Sequence, residues 1–128
     1  VTTSLTPYQA VVLRCVPRVD REEFLNVAVV LHCEAHDVLD LRTRVDAERL
    51  HAVAADLDLE MLACALEGVA AVCAGTPEAW PGAAGRSGDR FRWVAAPRST
   101  VLQPGPVHGG LTDDPRATLD ALAGRLLG

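Results

Sequence analysis

Residues able to do chemistry gather in one stretch of this chain, 95–115, "AAPRSTVLQPGPVHGGLTDDP". Arg98, Ser99, Thr100, Gln103 and His108 supply a guanidinium fork, two hydroxyls, an amide and an imidazole over eleven residues. An arginine flanked by hydroxyls can hold a phosphate or carboxylate, because the planar fork donates two parallel hydrogen bonds. Ser99, His108 and Asp113 are also the residue types of a hydrolytic triad. No GxSxG elbow surrounds Ser99, so the triad rests on residue types alone. Four prolines and three glycines in the same stretch are ordinary turn formers. The segment 96–113 reads as a loop longer than the usual connection of about 4–6 residues, and long shaped loops are enriched in binding roles. It is the candidate functional loop.

Other clusters carry less. Cys33 and His36 make a lone CxxH, with His32 adjacent. Neighbours on a strand leave on opposite faces, and structural zinc wants four ligands, so no metal site is expected. Asp20, Glu22 and Glu23 alternate with arginines, the pattern of a solvated, ion-paired connection. Asn26, the only asparagine, opens a strand and is suited to bonding a neighbouring backbone. Four cysteines lie in apolar surroundings without CxxC spacing, which points to reduced, structural thiols. No cofactor motif is present.

The elements that must position these groups follow from periodicity. Residues 8–16 are apolar on both faces, as in an interior strand, and Pro17 ends them. "NVAVVLHC" places Val27, Val29, Leu31 and Cys33 on one face of a second strand. "VLDLRTRV" alternates, with Leu39, Leu41, Thr43 and Val45 opposite Asp40, Arg42 and Arg44, so 26–45 form a hairpin. Asp46 and Asp58 then cap two helices, the second with a stripe of Leu59, Leu62, Leu66, Val69 and Cys73. Residues 75–89 carry dense turn signals and read as a surface loop. "RFRWVA" reads as a strand with Phe91 and Trp93 inward and Arg90 and Arg92 outward, and "STVLQ" as its continuation or a further strand. Asp113 or Asp114, with Pro115 at the first turn, starts a last helix with a stripe of Leu119, Leu122, Ala123 and Leu126. The expected fold is one α+β domain over 1–128, a mainly antiparallel sheet of four to five strands packed against about three helices.

Composition bounds the function. At 128 residues, 49% hydrophobic and 23% charged, the chain is long enough for one core. A net charge of −5 and few aromatics disfavour a nucleic-acid module. Every basic residue is arginine and isoleucine is absent, which fits a GC-rich coding sequence such as an actinobacterial one. No run reaches the length of a membrane span and the first residues lack a secretory pattern, so a cytoplasmic protein is expected.

"RFRW" followed by "APRSTVLQPGPVHGGLTDDP", together with "YQAVVLRCVPR" and "EEFLNVAVVLHC", resembles the small bacterial family called domain of unknown function 3037. The resemblance runs from Tyr8 to Leu127. It marks Tyr8, Gln9, Arg14, Arg18, Glu23, Asn26, Arg98, Ser99, Thr100, Gln103, His108, Gly110, Thr112 and Asp114 without giving them roles. "HGG" at 108–110 departs from the "HTG" of relatives, and the missing hydroxyl weighs against a catalytic middle residue. The resemblance also implies a neighbouring HipA-like kinase as protein partner, in a toxin–antitoxin-like or other two-gene system. The leading expectation is therefore a non-enzymatic binding protein that docks through an exposed sheet edge and the 97–113 loop, with Val107 and Leu111 supplying burial. The candidate binding residues are Arg14, Arg18, Asn26, Arg98, Ser99, Thr100, Gln103 and His108. The competing expectation is a phosphate-handling or hydrolytic enzyme using Arg98, Ser99 and His108.

Overall fold

The computed structural model describes residues 4–76, 83–98 and 100–128. Strand β1 (Thr6–Cys15) runs antiparallel to β2 (Leu25–Cys33), which pairs with β3 (Val38–Thr43). Helices α1 (Ala47–Val53), α2 (Leu59–Ala74) and α3 (Ser87–Ala95) follow, then β4 (Leu102–Thr112) and helix α4 (Pro115–Leu126). The sheet order is β3-β2-β1-β4, all antiparallel. The chain is thus an α+β protein, with four strands and four α-helices among the described residues.

The apolar character of β1 and β2 on both faces has its cause here, since both strands are interior and both faces of the sheet are covered. On one face Val11, Leu13, Cys15, Ala28 and Val30 meet Leu50 of α1, Leu62, Leu66 and Val69 of α2, and Phe91 and Val94 of α3. On the other, Ala10, Val29, Leu31, Cys33 and Val38 meet Leu119 and Leu127, with Leu122, Ala123 and Leu126 partly buried around them. The stripe expected on the last helix is the one that docks.

Capping follows the expected chemistry. Asp46, Asp58 and Asp114 accept hydrogen bonds from the backbone N–H groups of Arg49, Met61 and Ala117 at 3.1, 3.1 and 3.2 Å. Gly75 ends α2 at φ 71°, the left-handed conformation a glycine adopts without steric cost.

Three expectations are corrected. Residues 90–95 are the last six of the nine residues of α3, not a strand. Phe91 and Val94 face inward at helical spacing, Trp93 is 38% exposed, and Arg90 lies along the C-terminal end of α2, donating to the Cys73 carbonyl at 3.4 Å. Val27 does not share a face with Val29, Leu31 and Cys33. A β-bulge lets Leu13 pair with Ala28 and Arg14 with Asn26, so Val27 turns into the core on the face covered by α1, α2 and α3. The expected loop 96–113 is mostly β4, an edge strand that accommodates Pro104 and Pro106 because an edge can spare ladder donors. Of the expected surface loop 75–89, residues 77–82 lie outside the described residues, and Ser87–Asp89 open α3.

All four cysteines are free, three of them buried. Burial pushes the Cys73 thiol up to about 12, so it stays protonated and inert. Cys64 is exposed on α2, a departure from the expected apolar setting.

One buried polar pair joins α3 to the sheet. His32 on β2 is 7% exposed, stacks on Phe91 at 5.7 Å between centroids, and places Nε2 3.0 Å from the Ser87 hydroxyl. His32 and Cys33 do leave on opposite faces, for His32 stacks on Phe91 beneath α3 whereas Cys33 joins the cluster beneath α4. Burial holds the His32 pKa below its ordinary value, with Glu34 opposing. The unfolded chain therefore takes up a proton at a higher pH than the fold does. Thermal stability is expected to decline as pH falls below about 6.5, the ordinary histidine value. His32→Gln, measured by thermal melts across pH 5–8, is expected to flatten that decline; an unchanged slope would assign it to other groups.

Candidate functional site

The polar residues of 96–113 are held by three different local arrangements. The Arg98 guanidinium lies over the Trp93 ring, 4.6 Å from its centroid, and donates to the Trp93 carbonyl. Thr100 donates from Oγ1 to the Leu102 carbonyl at 2.7 Å, and the Gln103 amide donates to the Thr100 carbonyl at 2.9 Å. These bonds shape the entry to β4. Ser99 lies outside the described residues. Thr112 and Asp114 build the turn into α4: the Asp114 N–H donates to Thr112 Oγ1 at 3.0 Å, and the Thr112 and Thr118 hydroxyls lie 2.6 Å apart.

His108 belongs elsewhere. It pairs with Ala10 across the β1–β4 ladder, so it points to the α4 face of the sheet. There it borders a groove of about 320 Å³ with an apolar floor of Ala10, Val12 and Val29 and a rim that includes Tyr8 and Arg125. Arg98 packs on α3, across the sheet from it. The structure therefore does not bring Arg98 and His108 around one point.

Arg14 and Gln103 do come together. They are register partners on β1 and β4, and they line a cleft of about 390 Å³ with Val16, Val19, Glu22, Phe24 and Pro104. The Arg14 guanidinium lies 4.2 Å from the centroid of the Phe24 ring. Arg18 is apart from it, forked onto both carboxylate oxygens of Asp56 at 3.1 Å on the exposed surface. Asn26, the other register partner of Arg14, donates to the Leu126 carbonyl at 3.3 Å and ties β2 to the end of α4, the backbone role its position predicts. Glu23 pairs with Arg21, and among the described residues no three His, Cys, Asp or Glu side chains group as metal ligands.

The face of β4 opposite His108 carries a different surface. Val107 pairs with the buried Val11, yet Val107 is 44% exposed and Leu111 63%. Gly109 and Leu111 pair with Gln9 and Pro7, both exposed, so the helices on that face leave this end of the sheet uncovered.

The two glycines of "HGG" differ physically. A Cβ on Gly110 would sit 2.6 Å from the Tyr8 ring, whereas one on Gly109 would meet only the Tyr8 carbonyl oxygen at 3.6 Å. Gly109→Thr is therefore expected to be tolerated, and to stabilise by about 0.5–1 kcal/mol because it removes a strand glycine. Gly110→Ala must push the Tyr8 ring away and is expected to destabilise by about 1–2 kcal/mol. Urea denaturation of both variants checks the pair; equal effects would refute the packing of Tyr8 over Gly110.

Sequence reasoning left out Phe24 and Arg125. Phe24 had a signal, since it is one of two phenylalanines and closes a charged connection, where an aromatic has no core to join. Arg125 had none, as a helix-end arginine is ordinary.

These features define an α+β domain with β4 at one edge of its sheet and shallow clefts beside that strand. The chain belongs to the family described as protein of unknown function (DUF3037), whose model matches residues 10–127. No curated protein and no solved structure is similar enough to the chain to count as a match.

Proposed function

We propose that this protein is a non-enzymatic partner protein that docks another protein along the open half of β4. The observation that carries the reading is the division of that edge. Over 102–106 the strand is blunted by Pro104, Pro106 and a bulge at Gly105–Pro106, the usual devices against edge pairing. Over 107–111 none of these devices recurs, and Val107 and Leu111 stand exposed on the uncovered face. A partner strand added there would gain backbone hydrogen bonds from the edge and apolar burial from those side chains. The family resemblance nominates a HipA-like kinase encoded nearby as that partner, and a regulatory role toward it. No helix among the described residues is long and apolar enough to cross a membrane.

The test is co-expression with the neighbouring kinase followed by affinity capture and size-exclusion chromatography. Co-elution at fixed stoichiometry is expected. Elution of the chain alone would remove the kinase as partner. A hydrolytic reading requires Arg98 and His108 around one reacting atom, and their placement on opposite sides of the sheet gives it no support.

A further inference from the structure

The cleft around Arg14 has no part in the edge reading and is argued independently of it. Arg14 projects from an interior strand, and its guanidinium is held on two sides. The Phe24 ring covers it at 4.2 Å. It also packs against Gly105 so closely that a Cβ there would come within 3.0 Å of Cζ and of one terminal nitrogen. The bulge that sets Gly105 opposite β1 is thus what makes room for the guanidinium. Despite this confinement, Arg14 Nε is buried without a hydrogen-bond partner, and among the described residues Arg14 makes no ion pair. A partly desolvated, immobilised cation without an anion is costly in a native fold, and buried charges are as a rule paired. Its surroundings offer no remedy: among the described residues neither Gln103 nor Glu22, the two polar side chains that share the cleft, accepts a hydrogen bond from the guanidinium.

The missing partner is an anion, and its chemistry can be narrowed. Among the described residues one guanidinium is the only cation on the lining, and Glu22 places a negative charge on the same wall. That balance disfavours a dianion such as phosphate and suits a monoanion, whose planar carboxylate matches the fork in two parallel bonds. The remaining walls, Val16, Val19, Phe24 and Pro104, are apolar. We infer that this cleft is a binding site for a carboxylate carried on an apolar body, a small organic monoacid, gripped by Arg14 and flanked by Phe24.

Titration of ¹⁵N-labelled protein with acetate, butanoate, hexanoate and inorganic phosphate, at matched pH and ionic strength, tests this through the Arg14 Nε–H cross-peak. A saturable shift is expected with hexanoate, with affinity rising about two- to fourfold per methylene from butanoate as the apolar walls fill. Phosphate is expected to produce no saturable shift. Arg14→Gln should weaken hexanoate binding by about tenfold or more, followed through backbone amides of the cleft. Gly105→Ala, which leaves the charge in place but displaces the guanidinium, should weaken it as well and serves if Arg14→Gln does not fold. Saturation by phosphate at the same or lower concentration, no saturation by hexanoate, affinity independent of chain length, or binding indifferent to both variants would overturn the assignment. None of these outcomes bears on capture of a partner at β4.

Discussion

Changing Val107 and Leu111 together to aspartate is expected to lower affinity for the captured partner by about a hundredfold or more, while moving the thermal midpoint by only a few degrees. Each side chain, if fully buried by a docked strand, would supply about 1.5–3 kcal/mol. An aspartate in its place would in addition carry an unpaired charge into the interface. In the free protein the same change costs little, because Val107 and Leu111 are already 44% and 63% exposed. Affinity measured by calorimetry, beside a thermal melt of the free variant, separates the two effects. Full affinity with an unchanged melt would mean that the partner docks elsewhere. A collapsed melt would mean that this end of β4 is structural.

The second large effect lies in the core. Phe91→Ala is expected to cost about 3–5 kcal/mol, against a total of about 5–15 for a domain of this kind. Phe91 is 2% exposed and fills the space between α3 and the sheet, where it also stacks on His32. Its loss leaves a cavity and strips one wall from a buried imidazole. Trp93→Ala is the control, expected to stay within about 1 kcal/mol because Trp93 is on the outer face of α3. The pair discriminates helix from strand at 90–95. A strand would bury both aromatics on one face, so equal losses in denaturant titrations would argue against α3.

That contrast also shows where the fold was legible. β1 and β2 had continuous apolar runs, β3 a clean alternation, and α1, α2 and α4 a capping aspartate, all of it local chemistry that the chain states outright. "RFRWVA" had none of these. Its apolar residues at 91, 93 and 94 satisfy a period of two as well as one of 3.6, and the segment is too short to arbitrate. The bond that sets the start of α3, from the Arg86 N–H to Asp89 Oδ2 at 3.1 Å, lies in what reads as turn sequence. β4 was hidden for another reason. Two prolines and three glycines look like a loop, and only position at the edge of the sheet makes them compatible with a strand, a fact of topology that no local window contains.

The site was legible in part. The residue types singled out in 98–108 are real surface features, but Arg98, Thr100 and Gln103 spend hydrogen bonds on nearby carbonyls. Sequence proximity brought them together on paper; the backbone turn keeps them for itself. Arg14 and Gln103, nearly ninety positions apart, meet because β1 and β4 pair in the register that sets one against the other. Val107 and Leu111 were expected to supply burial to a partner, and what the strand adds is their common face, set by alternation opposite His108.

The position of β4 bears on how the molecule comes into being. Thr6 and Thr112, joined by a hydrogen bond of 3.1 Å, are 106 residues apart, and the whole β1–β4 ladder links the two ends of the sheet's sequence. On the ribosome β1, β2 and β3 emerge early with the helices that cover one of their faces. The other face, with Val29 and Leu31, has no cover until α4 is made, and β1 has a bare edge until β4 arrives. A nascent chain therefore carries a central strand with one bare edge and an uncovered apolar surface until β4 and α4 are made, the interval in which it is most open to aggregation or to capture by another chain.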